Sequence, residues 1–282
     1  MKVFCYQYDI AWENKQANFK RVEELLAHKT FPAGSLVVLP EMSFTGFSMN
    51  VARTSESEPD LTETFLKTTA RKFGICLVAG LVTQTPDGRG RNEAVFVTPQ
   101  SGVTDRYQKL HLFSPAQENS HFTSGDRVVT FECEGGIVAP FICYDLRFPE
   151  VFREAVEMKA ELFAVIANWP RSRERHWLSL LQARAIENQA FVAGVNRCGK
   201  DPNIDYSGRS VIVSPLGEVL ADAGEGEAVI EAELDFEAVR KYRCQFPALI
   251  DRRRSPASTA ESRPEVKKPG SGKLAELQLE QP

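Results

Sequence analysis

The chain is short of the residues that mark several whole classes of protein. Its six cysteines, Cys5, Cys76, Cys133, Cys143, Cys198 and Cys244, include no C-x-x-C pair. They are scattered among strand-like residues, which points to reduced thiols and against a disulfide framework or a zinc site. The four histidines stand apart from one another and supply no metal-ligand spacing, so no metal is expected. No apolar run reaches membrane-spanning length, and the opening Met-Lys-Val-Phe-Cys-Tyr lacks the leader and apolar core of a signal peptide. A cytoplasmic protein without a membrane partner is expected. Charge of one sign is scarce too, the formal net charge being −4. Arg252–Pro282 contributes +3 of it and Met1–Asp251 carries −7, a balance that disfavours phosphate backbones and excludes nucleic acid as the expected partner. No internal repeat is visible.

What is present is an ordinary globular composition: 282 residues, 43% hydrophobic and 26% charged. From Arg252 on, the composition shifts to Arg, Ser, Pro, Lys and Gly with few large apolar residues. This predicts one α/β domain over residues 1–251 and a disordered tail over 252–282. Helices are expected at Lys15–His28 behind an Asn14 cap, near Leu61–Lys72, from Pro149 to about Lys159, and at Arg173–Asn188 with Trp177, Leu180, Leu181 and Ile186 inside. Strands are expected at Lys2–Tyr8, Ser35–Leu39, Ile75–Thr83, Glu93–Thr98, Val103–Tyr107, Val128–Glu132, Ile137–Ile142, Glu161–Ala167, Phe191–Asn196, Arg209–Ser214, Glu218–Ala221 and Glu227–Glu233. Ser114–Asp126 reads as too irregular for an element and, by its length, as a functional or mobile loop. Asp235 is placed to cap a last short helix. Strands of both alternating and continuous apolar pattern, several followed by helices, predict two packed sheets covered by helices.

Three strand exits each carry one reactive residue. Glu41 follows Leu39-Pro40, Lys109 follows Tyr107-Gln108, and Cys143 ends the apolar run Ile137–Ile142. Cys143 therefore falls on a strand-to-helix turn, which exposes a side chain and aims the next backbone N–H groups at a nearby negative charge. Acyl transfer needs these three types: a thiol to attack a carbonyl, a base for its proton, and a cation beside the oxyanion. The bland alternatives are a buried inert thiol and two solvated surface charges. No local cysteine-protease signature accompanies His111, His121 or His176, and His111 reads as a structural hydrogen-bonder.

Leu39-Pro-Glu-Met-Ser-Phe-Thr-Gly46, Tyr107-Gln-Lys-Leu-His-Leu-Phe113 and Ile142-Cys-Tyr-Asp-Leu-Arg-Phe-Pro149, in that order, resemble the glutamate, lysine and cysteine motifs of the nitrilase superfamily, the carbon–nitrogen hydrolases. The resemblance extends from Lys2 to about Asp251. It implies an α-β-β-α sandwich that pairs into a homodimer and needs no cofactor. It also implies Cys143 as nucleophile, Glu41 as general base, Lys109 as oxyanion stabiliser, and Glu118 as the glutamate that positions the lysine and substrate. Ala167-Asn-Trp-Pro170, Leu181–Gln189 and Val195-Asn-Arg197 resemble the bacterial ω-amidase branch, whose substrates are 2-oxoglutaramate and 2-oxosuccinamate. A small amide is thus the expected partner, with Arg173, Trp169, Tyr144 and Phe44 expected to bind it. Arg171 and Arg175 are alternatives to Arg173 as the cation that meets the substrate carboxylate. Arg209 departs from the Asp or His usual between Gly208 and Ser210. An N-carbamoyl amino-acid hydrolase, a nitrile hydrolase and a non-catalytic binding protein on the same fold are the competing readings.

Overall fold

The structure is a computed structural model that describes residues 1–56 and 61–253. Met1–Leu249 forms one compact unit, to which the description below refers. Most of the expected tail, residues 254–282, lies outside the described residues.

Along the chain run β1 (Lys2–Gln7), α1 (Lys15–Ala27), β2 (Leu36–Val38), α2 (Val51–Thr54), α3 (Leu61–Phe73), β3 (Cys76–Gln84), β4 (Gly90–Thr98) and β5 (Gly102–Gln108). Next come α4 (Glu118–His121), β6 (Phe122–Thr123), β7 (Phe131–Cys133), β8 (Gly136–Ile142), α5 (Pro149–Glu157), β9 (Leu162–Ala167) and α6 (Glu174–Asn188). The chain closes with β10 (Phe191–Asn196), β11 (Cys198–Lys200), β12 (Asp205–Ser207), β13 (Val211–Val213), β14 (Val219–Asp222), β15 (Ala228–Glu233) and α7 (Phe236–Gln245).

Two large sheets result, one ordered β15-β1-β2-β3-β4-β5 and the other β14-β13-β10-β9-β8-β7. The period of two along each strand divides its side chains between two layers. In the first sheet Val3, Cys5, Leu36, Val38, Val78, Ala94 and Phe96 face the second sheet's core. Phe4, Tyr6, Val37, Leu77, Ala79, Val95 and Val97 face the opposite way, against Phe19, Val22 and Leu26 of α1 and Leu66 and Ala70 of α3. The second sheet is covered by α5 and α6 through Phe141, Phe152, Phe163, Trp177 and Leu181. The architecture is therefore the expected α-β-β-α sandwich.

The helices start where their sequence chemistry places them. Asn14 caps α1 by accepting from the Ala17 N–H at 3.1 Å, and Asp235 caps α7 through the Ala238 N–H at 3.0 Å. Pro149 opens α5 at a position whose N–H has no intrahelical partner. Three expectations are corrected. Ile186 is 54% exposed, because the buried stripe of α6 follows Trp177, Leu181 and Ala185, and the next residue is rotated about 100° away from it. Of the expected strand Val128–Glu132 only Phe131 and Glu132 pair, and the observed strand continues to Cys133, since its partner Gly136–Ile142 meets it from Phe131↔Val138 to Cys133↔Gly136. The stretch Ser114–Asp126 contains α4 and β6, and β6 pairs with β4 at Gly90↔Phe122.

Candidate active site

The parallel strands β2, β8 and β9 lead at their carboxyl ends into Glu41, Cys143 and Asn168, and the antiparallel strand β5 leads into Lys109. Carboxyl ends of parallel strands are where ligands of α/β folds bind. Glu41 comes three residues after β2 and is fully buried. Its backbone passes so close to β3 that a Cβ on Gly80 would lie 2.4 Å from the Met42 nitrogen and 2.7 Å from the Glu41 Cα. Only glycine permits this approach.

Glu41 sits in a ring of donors. Its Oε1 accepts from Asn92 Nδ2 at 2.7 Å and from Lys109 Nζ at 2.9 Å. Its Oε2 accepts from the Asn168 backbone N–H at 2.8 Å and from Asn168 Nδ2 at 3.3 Å. Such a shell describes a carboxylate fixed in one orientation. Lys109, also fully buried, divides its ammonium between Glu41 and Glu118, whose Oε1 and Oε2 lie 3.1 Å and 2.9 Å away. Burial disfavours that ammonium, but Glu118 and Glu41 outweigh burial and hold its pKa above the ordinary lysine value. Glu118 is itself fixed by the Phe113 N–H at 2.6 Å and by Asn92 Nδ2 at 2.9 Å. Asn92 thus bridges the two glutamates.

Cys143 follows β8 with φ of +46°, in the left-handed region that a non-glycine residue adopts only under constraint. The constraint is Asp145. One of its carboxylate oxygens accepts from the Ile142 N–H at 3.1 Å and the Tyr107 hydroxyl at 2.7 Å. The other accepts from the His111 N–H and lies 2.9 Å from His111 Nδ1. Asp145 therefore locks the cysteine turn to the strand exit that carries Lys109, and the His111 ring stacks on Phe148 at 3.8 Å. The Cys143 thiol has its pKa pushed well up by burial and by Glu41, against the opposing pull of Lys109.

Cys143 opens into a small pocket walled by Phe47, Phe113, Tyr144, Arg147, Asn168, Trp169, Pro170, Arg173 and Ile204. Of the four residues expected to bind substrate, Tyr144, Trp169 and Arg173 line it. Phe44 does not: it packs at 4.9 Å and 5.6 Å against Phe19 and Phe65, on the far side of the first sheet. Phe47, three residues on, takes the place at the cavity and lies 5.3 Å below Lys109 Nζ. Arg171 turns out of the cavity to pair with Glu225 at 2.9 Å, and Arg175 is exposed. Arg209 makes its ion pairs outside the cluster. Its side chain meets Asp222 at 2.6 Å and Glu174 at 3.6 Å, tying the start of α6 to β14. Asn92 and Asn168 were not singled out as site residues by the sequence reading, although Asn168 occupies a strand exit like the other three.

The carbon–nitrogen hydrolase family model matches residues 2–244. An ω-amidase of Yersinia enterocolitica is 40% identical over 253 residues, covering 89% of this chain and 96% of its own. A 2-oxoglutaramate amidase of Bacillus subtilis is 34% identical, covering 89% of this chain and 97% of its own. Among solved structures, a Xanthomonas campestris CN-hydrolase superfamily protein with an arsenic adduct in its active site superposes with a TM-score of 0.85. It is 30% identical and covers 90% of this chain and 98% of its own. Nit3 of Saccharomyces cerevisiae, a nitrilase superfamily member, superposes with a TM-score of 0.79 at 27% identity, covering 88% of this chain and 94% of its own.

Proposed function

Because this chain belongs to the carbon–nitrogen hydrolase family of the nitrilase superfamily, we propose that it is an ω-amidase acting on 2-oxoglutaramate and 2-oxosuccinamate through a cysteine thioester. One observation carries the reading. The buried cluster of Glu41, Lys109 and Glu118 stands beside a strained cysteine that opens into an apolar cavity holding Arg173.

The resting charges set the order of events. Glu41 and Glu118 carry two negative charges against the one positive charge of Lys109, so a thiolate would add a further buried negative charge. The proton must therefore leave Cys143 as its sulfur bonds to the amide carbon, and Glu41 receives it. Lys109 and the backbone N–H groups of the turn after Cys143 face the oxygen that becomes negative. When the C–N bond breaks, Glu41 returns the proton to nitrogen and ammonia departs, leaving the acyl group on sulfur. Glu41 then takes a proton from water, whose oxygen attacks the thioester carbon, and the acid leaves as the thiol is restored.

The carboxylate of an ω-amido acid needs a cation at the far wall of the cavity. Arg173 supplies it, with its guanidinium 5.5 Å above the Phe113 ring and, among the described residues, none of the carboxylate pairing that occupies Arg171. We also read the protein as a cytoplasmic homodimer. Free thiols throughout the described residues fit a reducing compartment. Ile186, Leu216, Val219 and Leu220, each more than 40% exposed, offer an apolar surface of the kind that a second copy covers.

The test is ammonia release by the purified protein from 2-oxoglutaramate, 2-oxosuccinamate, an N-carbamoyl amino acid and an aliphatic nitrile. The two ω-amido acids should lead by at least tenfold in kcat/KM. Preference for the carbamoyl compound or the nitrile would move the chain to another branch, and no turnover of any would favour a binding role.

A further inference from the structure

The hairpin of β11 and β12 belongs to neither large sheet, yet one of its residues reaches the catalytic pocket. A two-stranded hairpin on its own is marginal in water, so something outside it must hold it in place. Arg197, the residue between β10 and β11, does so from a fully buried position. Its Nε donates to the Cys198 carbonyl at 3.1 Å. One of its terminal nitrogens donates to the Lys200 carbonyl at 3.0 Å, the Ile10 carbonyl at 3.2 Å and the Asp9 carboxylate at 2.5 Å. The same guanidinium lies 4.5 Å over the Tyr206 ring of β12. Arg197 therefore grips both strands of the hairpin and ties them to the chain that follows β1. A buried cation is tolerated where it is paired and hydrogen-bonded in this way.

The tip of the hairpin is fixed as closely. Asp201 Oδ1 accepts from the N–H groups of Asn203 at 2.7 Å and Ile204 at 2.8 Å, and the Asp201 N–H donates to the Ile204 carbonyl at 3.0 Å. Asp201 Oδ2 accepts from the Tyr206 hydroxyl at 2.6 Å. Ile204 is half-buried between the exposed Asn203 and Asp205, and it lines the pocket that Cys143 opens into. Among the described residues it is the pocket's one branched aliphatic side chain. Its place follows from the sheet. β8, β9 and β10 are parallel neighbours whose carboxyl ends lead in turn to Cys143, to residues 168–173 and to the hairpin. At the spacing of neighbouring strands, the hairpin leaves the sheet about 10 Å from the strand of the nucleophile. β12 packs beside the turn Arg171–Arg173. Ile204 thus stands toward the end of the pocket away from the attacked carbon.

We infer that Ile204 sets the length of acyl chain that the pocket accepts, and that Arg197 is the positioning residue that holds Ile204 there. This rests on the ω-amidase reading and deepens it. Between its amide and its keto group 2-oxoglutaramate carries methylenes alone, which make no hydrogen bonds and are best met by an apolar wall. Ile204 offers a stiff one, since a β-branched side chain has few rotamers. A wall on a hairpin anchored by Arg197 does not retreat, so a substrate one methylene longer meets it before its amide carbon reaches Cys143.

The experiment measures kcat/KM for 2-oxosuccinamate, 2-oxoglutaramate and the ω-amide of 2-oxoadipate, which is one methylene longer again. The wild-type protein is compared with Ile204→Ala, Ile204→Phe, Arg197→Lys and Ile204→Ala/Arg197→Lys. One methylene in an apolar pocket is worth roughly ten- to two-hundredfold, so Ile204→Ala should raise the preference for the longest substrate over 2-oxoglutaramate by about tenfold or more. Ile204→Phe should move the preference the other way, from 2-oxoglutaramate toward 2-oxosuccinamate. Arg197→Lys keeps a charge beside Asp9 and loses the planar stack, and it should shift the ratio in the same direction as Ile204→Ala. The double variant should shift it no further than Ile204→Ala alone, because Arg197 acts through Ile204. An arginine that only supports the fold would lower the yield of folded protein and leave the ratio unchanged, which would overturn its positioning role. If Arg197→Lys does not fold, Tyr206→Leu decides, since it removes the ring under Arg197 and the hydroxyl that holds Asp201; an unchanged ratio there would equally overturn that role. A folded Ile204→Ala protein with the wild-type ratio would overturn the length rule. A wild-type protein that turns over none of the three would instead sink the ω-amidase reading itself.

Discussion

Asn168 holds Glu41 at three points: its backbone N–H and its Nδ2 both donate to Oε2, at 2.8 Å and 3.3 Å, and its Nδ2 also donates to the Glu41 carbonyl at 2.8 Å. A strand exit of the second sheet thereby orients the carboxylate on a strand exit of the first. Asn168→Ala removes both side-chain donors and leaves the backbone one. Each charge-assisted bond is worth about 1.5–3 kcal/mol, so kcat should fall roughly ten- to a hundredfold with KM little changed. Steady-state kinetics check this, and an unaltered kcat would mean that Glu41 needs no such orientation.

Gly80 makes a second test of the same base. An added methyl would meet the backbone of Pro40, Glu41 and Met42 within 2.7 Å, where no flexible side chain can give way. Gly80→Ala should cost about 1–3 kcal/mol of stability and also displace Glu41. The variant should be less active than its loss of folded protein explains, as seen by kinetics normalised to circular dichroism. Full specific activity in the folded fraction would show that the approach is slack.

Lys109 separates stability from catalysis. Lys109→Met leaves Glu41 and Glu118 facing each other without a cation, which should cost about 3–5 kcal/mol and abolish turnover. Adding Glu118→Gln should restore part of the melting temperature and none of the activity. The pKa of Lys109 is raised in the folded protein, so its contribution is fully present below the unfolded value of about 10.4 and is lost only as pH rises above it. Wild-type stability should therefore show no Lys109-linked decline between roughly pH 6 and 9. A Lys109→Met protein as stable as the wild type would contradict the buried ion cluster.

The thiols give a labelling test. Cys143 is partly exposed and Cys244 exposed, while Cys5, Cys76, Cys133 and Cys198 are buried. Iodoacetamide should modify Cys244 without loss of activity, and inactivation should follow the slower modification of Cys143. Because burial and Glu41 raise the Cys143 pKa, the inactivation rate should keep rising through pH 9 with no plateau at the ordinary thiol value. Inactivation that tracks Cys244, or a plateau near pH 8, would be at odds with the site described.

Much of this was legible in the sequence because strand exits announce themselves. Apolar runs ending at Glu41, Lys109 and Cys143 put each residue on a rim, and the order of the three motifs carried the family resemblance. Phe44 was misjudged for a reason of period and turn: the chain after β2 coils tightly, with φ of +44° at Met42, and spacing alone does not tell which of Phe44 and Phe47 turns back to the cavity. Asn92 lies near the start of β4 between Arg91 and Glu93, just ahead of the expected strand Glu93–Thr98, where a run of polar residues reads as part of the preceding turn. It is a buried bridge between Glu41 and Glu118, and only the packing of the two sheets reveals it. The hairpin of β11 and β12 was missed because Cys198–Ser207 has too few apolar residues for a strand pattern. Its partner selection comes from tertiary contacts such as the Asp9↔Cys198 bridge.

The central claim is that Cys143 carries the substrate acyl group as a thioester during turnover. Acid quenching of the enzyme with excess 2-oxoglutaramate, followed by intact-mass and peptide analysis, tests it most directly. The account predicts an added 4-carboxy-4-oxobutanoyl group on the Cys143 peptide, sensitive to hydroxylamine and absent from Cys143→Ala. Ammonia release by Cys143→Ala at the wild-type rate, or the acyl group on any other residue, would contradict it.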